Sequence, residues 1–209
     1  MSLITGNNPN YGIIAQPGPP ALNGWDLRAL DNFVDKAIAL KAKIESYLEH
    51  IFHNMPSGIT DVFKQNCILS GSSISSIYHN ETPKDYDMWV HDEEMIVPIY
   101  DSLVLNWSDY IANYHDIGYT EVPNSKVITN NAITLINNVQ FIRLGTYKEQ
   151  RKTFDYIHCL PYYDLTTQKF YISSQQMDSI AKKKLVEIPN GNKASIRRFN
   201  KFKERGWSY

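Results

Sequence analysis

Two short stretches of the chain combine residue types and spacing suited to phosphate and metal chemistry. The apolar pair Ile68-Leu69 runs into Ser70-Gly71-Ser72-Ser73, and twelve residues separate Ser72 from Asp85-Tyr86-Asp87, which opens the apolar run Met88-Trp89-Val90. A β-strand sends alternate side chains to opposite faces. Asp85 and Asp87 would therefore share one face, while Tyr86, Met88 and Val90 would point the other way, into a core. Two carboxylates so close resist ionising together unless a cation lies between them. Hard oxygen ligands suit Mg²⁺, which takes one or two carboxylates and completes its shell with substrate phosphates. Two such ions about 3.5–4 Å apart can clamp the attacking and leaving oxygens of an in-line displacement. Gly71 lets backbone approach a phosphate closely, and Ser72 and Ser73 add hydroxyl donors. A helix from Ser73 to Tyr78 would turn its free N–H groups toward an anion. The competing reading of Asp85 and Asp87 is a solvated edge strand or a turn after Pro83.

The order strand, Gly-Ser, helix, strand, Asp-x-Asp resembles the signature of the DNA polymerase β-like nucleotidyltransferase superfamily, over about residues 60–175. The resemblance implies an α/β (α+β) fold: a nucleotidyltransferase-like mixed β-sheet flanked by helices, with a helical C-terminal extension. It also implies a third acid on a neighbouring strand. Asp155, a lone acid in the strand-like run Phe154–Cys159, is the expected one, with Asp164 as its rival; Asp164 also reads as a hairpin residue. Asp85, Asp87 and Asp155 would then be both catalytic and metal-binding, holding two Mg²⁺ (or Mn²⁺) ions. Asp155 would complete one metal site and act as, or orient, the base. Gly71, Ser72 and Ser73 would hold the triphosphate of an NTP, with ATP expected. Lys183, within Lys182–Lys184, would neutralise its β- and γ-phosphates, and Arg151 and Lys152 are further phosphate candidates; a solvated face is the other reading of each. The reaction implied moves a nucleoside monophosphate to an acceptor hydroxyl and releases pyrophosphate. The acceptor could be a small molecule, a protein or an RNA end. The second reading is a catalytically silent nucleotidyltransferase-like module that binds nucleotide or nucleic acid.

The positioning elements follow from pattern. Residues 1–24, rich in Asn, Pro and Gly, read as an extended arm. Asp26 can cap a helix to about His53, with Leu27, Leu30, Val34, Ile38, Ile44, Leu48 and Ile51 at helical steps, ended by Pro56 and Gly58. Strands are expected at Cys67–Ser70, Asp85–Val90, Phe154–Cys159 and Phe170–Ile172, with a hairpin turning at Asn137-Asn138. Asp92-Glu93-Glu94 caps a helix to about Val104, and Thr146–Lys152 is a charged connector. Helices over 174–185 and 193–205 close the chain. In the last of these Ile196, Phe199 and Phe202 form an apolar stripe among Arg197, Arg198, Lys201, Lys203 and Arg205. The core domain spans 25–172 and the basic helical segment 173–209. His158 reads as a satisfied core histidine, and the aromatic-rich pair Tyr162-Tyr163 as packing.

Composition sets outer bounds. The 209 residues are 43% hydrophobic and 21% charged, which fits a globular chain with one sizeable core. No apolar run approaches the ~18–20 residues of a membrane span, and the N-terminus lacks a signal-peptide pattern. Cys67 and Cys159 sit in apolar runs and read as buried thiols of a reducing compartment, so a cytoplasmic location is expected. The net charge of −1 is uneven: from Lys182 onward nine Lys and Arg face two Glu. That basic tail could serve nucleic acid, or simply be the wet face of a docked helix.

Overall fold

A computed structural model describes residues 13–15, 27–118, 125–189 and 191–209. The expected arm lies mostly outside these, as does Asp26. Among the described residues seven strands form one mixed sheet: β1 (Ile13–Ala15), β2 (Cys67–Ser70), β3 (Tyr86–Val90), β4 (Ala132–Thr134), β5 (Val139–Thr146), β6 (Tyr162–Asp164) and β7 (Lys169–Ile172). Their spatial order is β1-β7-β6-β2-β3-β5-β4. The β1/β7 and β3/β5 pairs are parallel and the others antiparallel. Helices flank the sheet, so the expected α+β class holds.

The main core lies on one face. Helix α1 (Leu27–His53) buries Phe33, Ala37, Leu40, Ile44, Leu48 and Ile51, a stripe at three- and four-residue steps. Val34 and Ile38, expected in that stripe, are only half-buried, because its first half is rotated by one position onto Phe33 and Ala37. Tyr86, Met88 and Val90 join this core with Leu69, Phe141 and Phe170, as alternation along a strand requires. The opposite face presents Asp87 and Trp89, and a smaller cluster of Ile68, Trp89, Ile142 and Tyr147 lies on it.

Several expected elements change. Pro56 ends α1 but also starts a second helix, α2 (Ser57–Asn66), as its N-cap residue, in keeping with proline's fit to a first helical turn. The hairpin is present, with Asn138 at φ 61 in the turn and β4 against β5. Asp92 is the N-cap residue of a 3₁₀ turn over Glu93–Met95, which leads into helix α4 (Ile96–Asn106). The charged connector folds first as a single helical turn, α5 (Tyr147–Gln150), closed by a capping box between Thr146 and Glu149. Most consequential, Phe154–Cys159 is not a strand. Asp155 lies in a bend, Tyr156 makes one bridge to Glu187, and Ile157–Cys159 is a 3₁₀ turn. The true strand is the next segment, Tyr162–Asp164, which pairs with β2.

The C-terminal helices are shorter than expected: α6 (Ser174–Ala181) and α7 (Ile196–Lys203). The last one docks through Phe202 into a cluster with Tyr156, Cys159, Leu185 and Trp207. His158 sits inside this aromatic cage, its ring 4.0 Å from that of Trp207 and 4.6 Å from that of Phe202. It is a core histidine but not a satisfied one: neither ring nitrogen has a hydrogen-bond partner among the described residues. Burial, with Arg205 and Arg198 nearby, pushes its pKa down to about 3. The unfolded chain therefore binds a proton there that the folded chain refuses, and stability falls as pH drops through the unfolded value of about 6.5 toward 3. His158→Phe should remove this acid sensitivity. Thermal melts of both proteins between pH 7 and 4 check it, and parallel curves would contradict it.

Candidate functional site

The opposite face of the sheet carries a cleft of about 530 Å³. Its floor follows from register. Asp87 on β3 pairs with Ser70 on β2 and with Gln140 on β5, which pairs in turn with Thr134 on β4. Side chains at paired positions share a face, and Asp87, Gln140 and Thr134 all line the cleft, with Asp85 just before β3. Between β2 and the helix α3 (Ser72–Tyr78) the chain turns at Gly71, with φ 94 and ψ −160. That backbone region is open essentially only to glycine. A Cβ at Gly71 would lie 2.7 Å from Asp87 Oδ2, so the bend is pressed directly against the carboxylate. Gly71 N donates to Cys159 O at 3.3 Å and Ser70 Oγ donates to Pro161 O at 2.9 Å, which fix the bend to the segment behind it.

The wall is the last helix, α7 (Ile196–Lys203). Arg198, Lys201 and Phe202, at i, i+3 and i+4, share the side of the helix that lines the cleft. Asp87 is partly buried, and its carboxyl is pushed up to about 7, first by burial and then by the charge of Asp85, while Lys201 and Arg198 pull the other way. A carboxyl raised in the folded state stabilises the fold fully below its ordinary value of about 4, and that contribution is lost as pH rises through about 7. In metal-free buffer, wild type should therefore lose melting temperature relative to Asp87→Asn between pH 4 and 8, and saturating Mg²⁺ should restore it. Identical pH profiles of the two proteins would refute the assignment.

The structure brings Gly71, Ser72, Asp85 and Asp87 together and leaves other expected residues elsewhere. Ser73 is buried, its hydroxyl 3.5 Å from Ser70 O, and it does not line the cleft. Asp155 is buried and paired with Arg198 at 3.0 Å from its Oδ2. Arg198 lines the cleft but Asp155 does not. The two strands beside β3 place Ser70 and Gln140 level with Asp87, so neither supplies a third carboxylate there. Lys183 lies past the end of its helix, bonded to Glu81 at 2.6 Å and to Arg205 O at 2.9 Å, away from the cleft. Asp164 is the turn residue of its second reading, accepting from the N–H groups of Thr166 and Thr167 and contacting His91. Arg151 lines a different cavity. Gln140, Thr134, Arg198 and Lys201 join the site from outside the Gly-Ser and Asp-x-Asp motifs. The i, i+3 spacing of the two cations beside Phe202 was the available signal for α7.

These donors fit one hard divalent cation held by Asp85 and Asp87, with phosphates and water completing its shell, the usual arrangement for Mg²⁺. Burial first and the charge of Asp85 second raise Asp87, and a cation between the two carboxylates would offset both. Among the described residues no three His, Cys, Asp or Glu side chains are grouped to hold a metal. The two-ion site expected with Asp155 is thus not assembled by carboxylates.

Residues 38–183, more than two thirds of the chain, match the model of the Gabija anti-defense 2 (Gad2) family. No curated protein and no solved structure matches the chain at a significant level. The chain belongs to the Gabija anti-defense 2 family. This corrects the family expected from the sequence: the match is to that specific family and gives no support for the DNA polymerase β-like superfamily. The physical weakness of the expectation was its third motif, since Asp155 is neither on a strand nor in the cleft.

Proposed function

We propose that this Gabija anti-defense 2 protein counteracts a host defence system, as its family's name states, through divalent-metal-dependent nucleotidyl transfer at the cleft of Gly71, Asp85 and Asp87. The observation that carries the reading is the glycine bend pressed against the Asp87 carboxylate, beside Asp85 and under two cations of α7. Gly71 leaves room for the Asp87 carboxylate, which any side chain there would push out of its place in the cleft. Ser72 offers a hydroxyl, and Arg198 and Lys201 meet the charge of the triphosphate from the facing wall. Asp85 and Asp87 would hold a divalent cation, which would supply polarisation of the α-phosphate and offset the charge on the departing pyrophosphate. An acceptor hydroxyl forms the new bond to the α-phosphorus as the bond to pyrophosphate breaks, and its proton passes to solvent. Because Arg198 contacts both Asp155 and the cleft, Asp155 acts as a positioning residue for that guanidinium rather than as a ligand. ATP is the expected donor, the acceptor belongs to the defence system or its signalling molecules, and the protein works in the cytoplasm.

One observation favours a second reading, a module that binds nucleotide without transferring it: no carboxylate joins Asp85 and Asp87 from a neighbouring strand. Incubation with each α-labelled NTP and Mg²⁺ or Mn²⁺, with and without lysate from defended cells, separates the two. Transfer predicts pyrophosphate and a labelled product. Metal-dependent NTP binding with neither product supports the silent module, and no metal-dependent binding refutes both.

A further inference from the structure

A second cavity, of about 430 Å³, opens on the same face of the sheet, within the usual size of small-ligand sites. Its platform is aromatic. Tyr162 on β6 pairs with Tyr171 on β7, and their rings stack 4.3 Å apart and within 7° of parallel. Tyr147 lies against Tyr162 with ring centroids 4.7 Å apart. Its hydroxyl is spent on Leu160 O, which locks the platform to the segment behind it. Both Tyr162 and Tyr171 are partly exposed.

Two cations, Lys148 and Arg151, line the same cavity, three residues apart just after β5. Neither has a carboxylate within ion-pair distance among the described residues. The guanidinium of Arg151 is held over the Tyr147 ring, 5.7 Å from its centroid. The acid of the cavity, Asp164, already accepts from Thr166 N, Thr167 N and the His91 ring, so its charge is largely met. Planar rings beside unpaired cations select a ligand with a flat aromatic part and an anionic part. Bases stack on tyrosine without regard to sequence, and phosphate suits a guanidinium fork.

We propose that this cavity is a binding site for a nucleoside 5′-phosphate, free or at the end of a strand, with the base packed against the Tyr162–Tyr171 stack and the phosphate on Arg151 and Lys148. The site contains no carboxylate pair, so it needs no divalent cation, and it stands independently of the chemistry assigned to the acidic cleft. Tyr162 is two strands from Asp87, roughly 10 Å at ordinary strand spacing, so a ligand there lies beside the cleft without entering it.

The test is equilibrium binding in EDTA of AMP, adenosine, inorganic phosphate and a 5′-phosphorylated adenine oligonucleotide. The proposal expects AMP or the oligonucleotide to bind at least tenfold more tightly than adenosine or phosphate. AMP competing fully with the oligonucleotide identifies the free nucleotide as sufficient, and oligonucleotide binding without AMP binding identifies a strand end. Lys148→Ala with Arg151→Ala, the first exposed and the second half-buried, should weaken binding at least tenfold, Tyr171→Ala likewise, and Asp85→Asn with Asp87→Asn should leave it unchanged. Absence of binding in EDTA, equal binding of bare phosphate, or indifference to the Lys148/Arg151 pair would overturn the proposal.

Discussion

Replacing Asp85 and Asp87 together by asparagine should abolish NTP turnover while leaving the protein folded. Loss of a cation clamp on a transferring phosphoryl group removes several kcal/mol of transition-state stabilisation, on the order of 10³-fold or more in rate. The stability side separates this from simple unfolding. Asp87 is destabilised in its charged form by burial and by Asp85, so the neutral pair should melt no lower than wild type in metal-free buffer at pH 8. Initial rates of pyrophosphate release and melting curves on the same samples check both halves. A folded double variant with wild-type rates removes these carboxylates from the chemistry, and a variant that fails to fold contradicts the electrostatic account of Asp87.

Gly71→Ala should damage both fold and site. Its backbone, φ 94 and ψ −160, is a region where a side chain costs about 1–3 kcal/mol. The new Cβ would meet Asp87 Oδ2 at 2.7 Å, a contact the carboxylate relieves only by leaving its place in the cleft. The expected result is a loss of about 1–3 kcal/mol in denaturant unfolding, together with a fall of about tenfold or more in affinity for NTP in Mg²⁺, since 1.4 kcal/mol of lost contact is tenfold. Asp87→Ala in the Gly71→Ala background should recover part of the stability, because it removes the colliding group. If Gly71→Ala is as stable as wild type and binds NTP equally, the close approach has no role.

The parts of this architecture readable in the sequence were those in which local pattern and tertiary demand agree. The β3 run Tyr86, Met88, Val90 alternates cleanly with Asp87 and Trp89, and the folded sheet puts the two sets on opposite faces. Gly71 was readable because a left-handed bend between a strand and a short helix admits little else. The 154–159 segment misled because an apolar run of strand length is equally served by burial against Phe202 and Trp207 in a 3₁₀ turn. Helix α2 was missed because Pro56 and Gly58 read as a stop, while proline also begins helices. The roles of Arg198, Lys201 and Gln140 depend on which elements meet across more than fifty residues of chain. Lys183 shows the reverse: a lysine in a basic run, drawn into an ion cluster with Glu81 and Arg205 that no local pattern announces.

The most direct test of the central claim is calorimetric titration of a non-hydrolysable ATP analogue into the full chain, with Mg²⁺ and with EDTA, for wild type and for Asp85→Asn with Asp87→Asn. Lys148→Ala with Arg151→Ala in both backgrounds keeps the second cavity from contributing. The account predicts binding that requires Mg²⁺ and disappears with the two aspartates. Equal heats in EDTA, or in the aspartate variant, would contradict it.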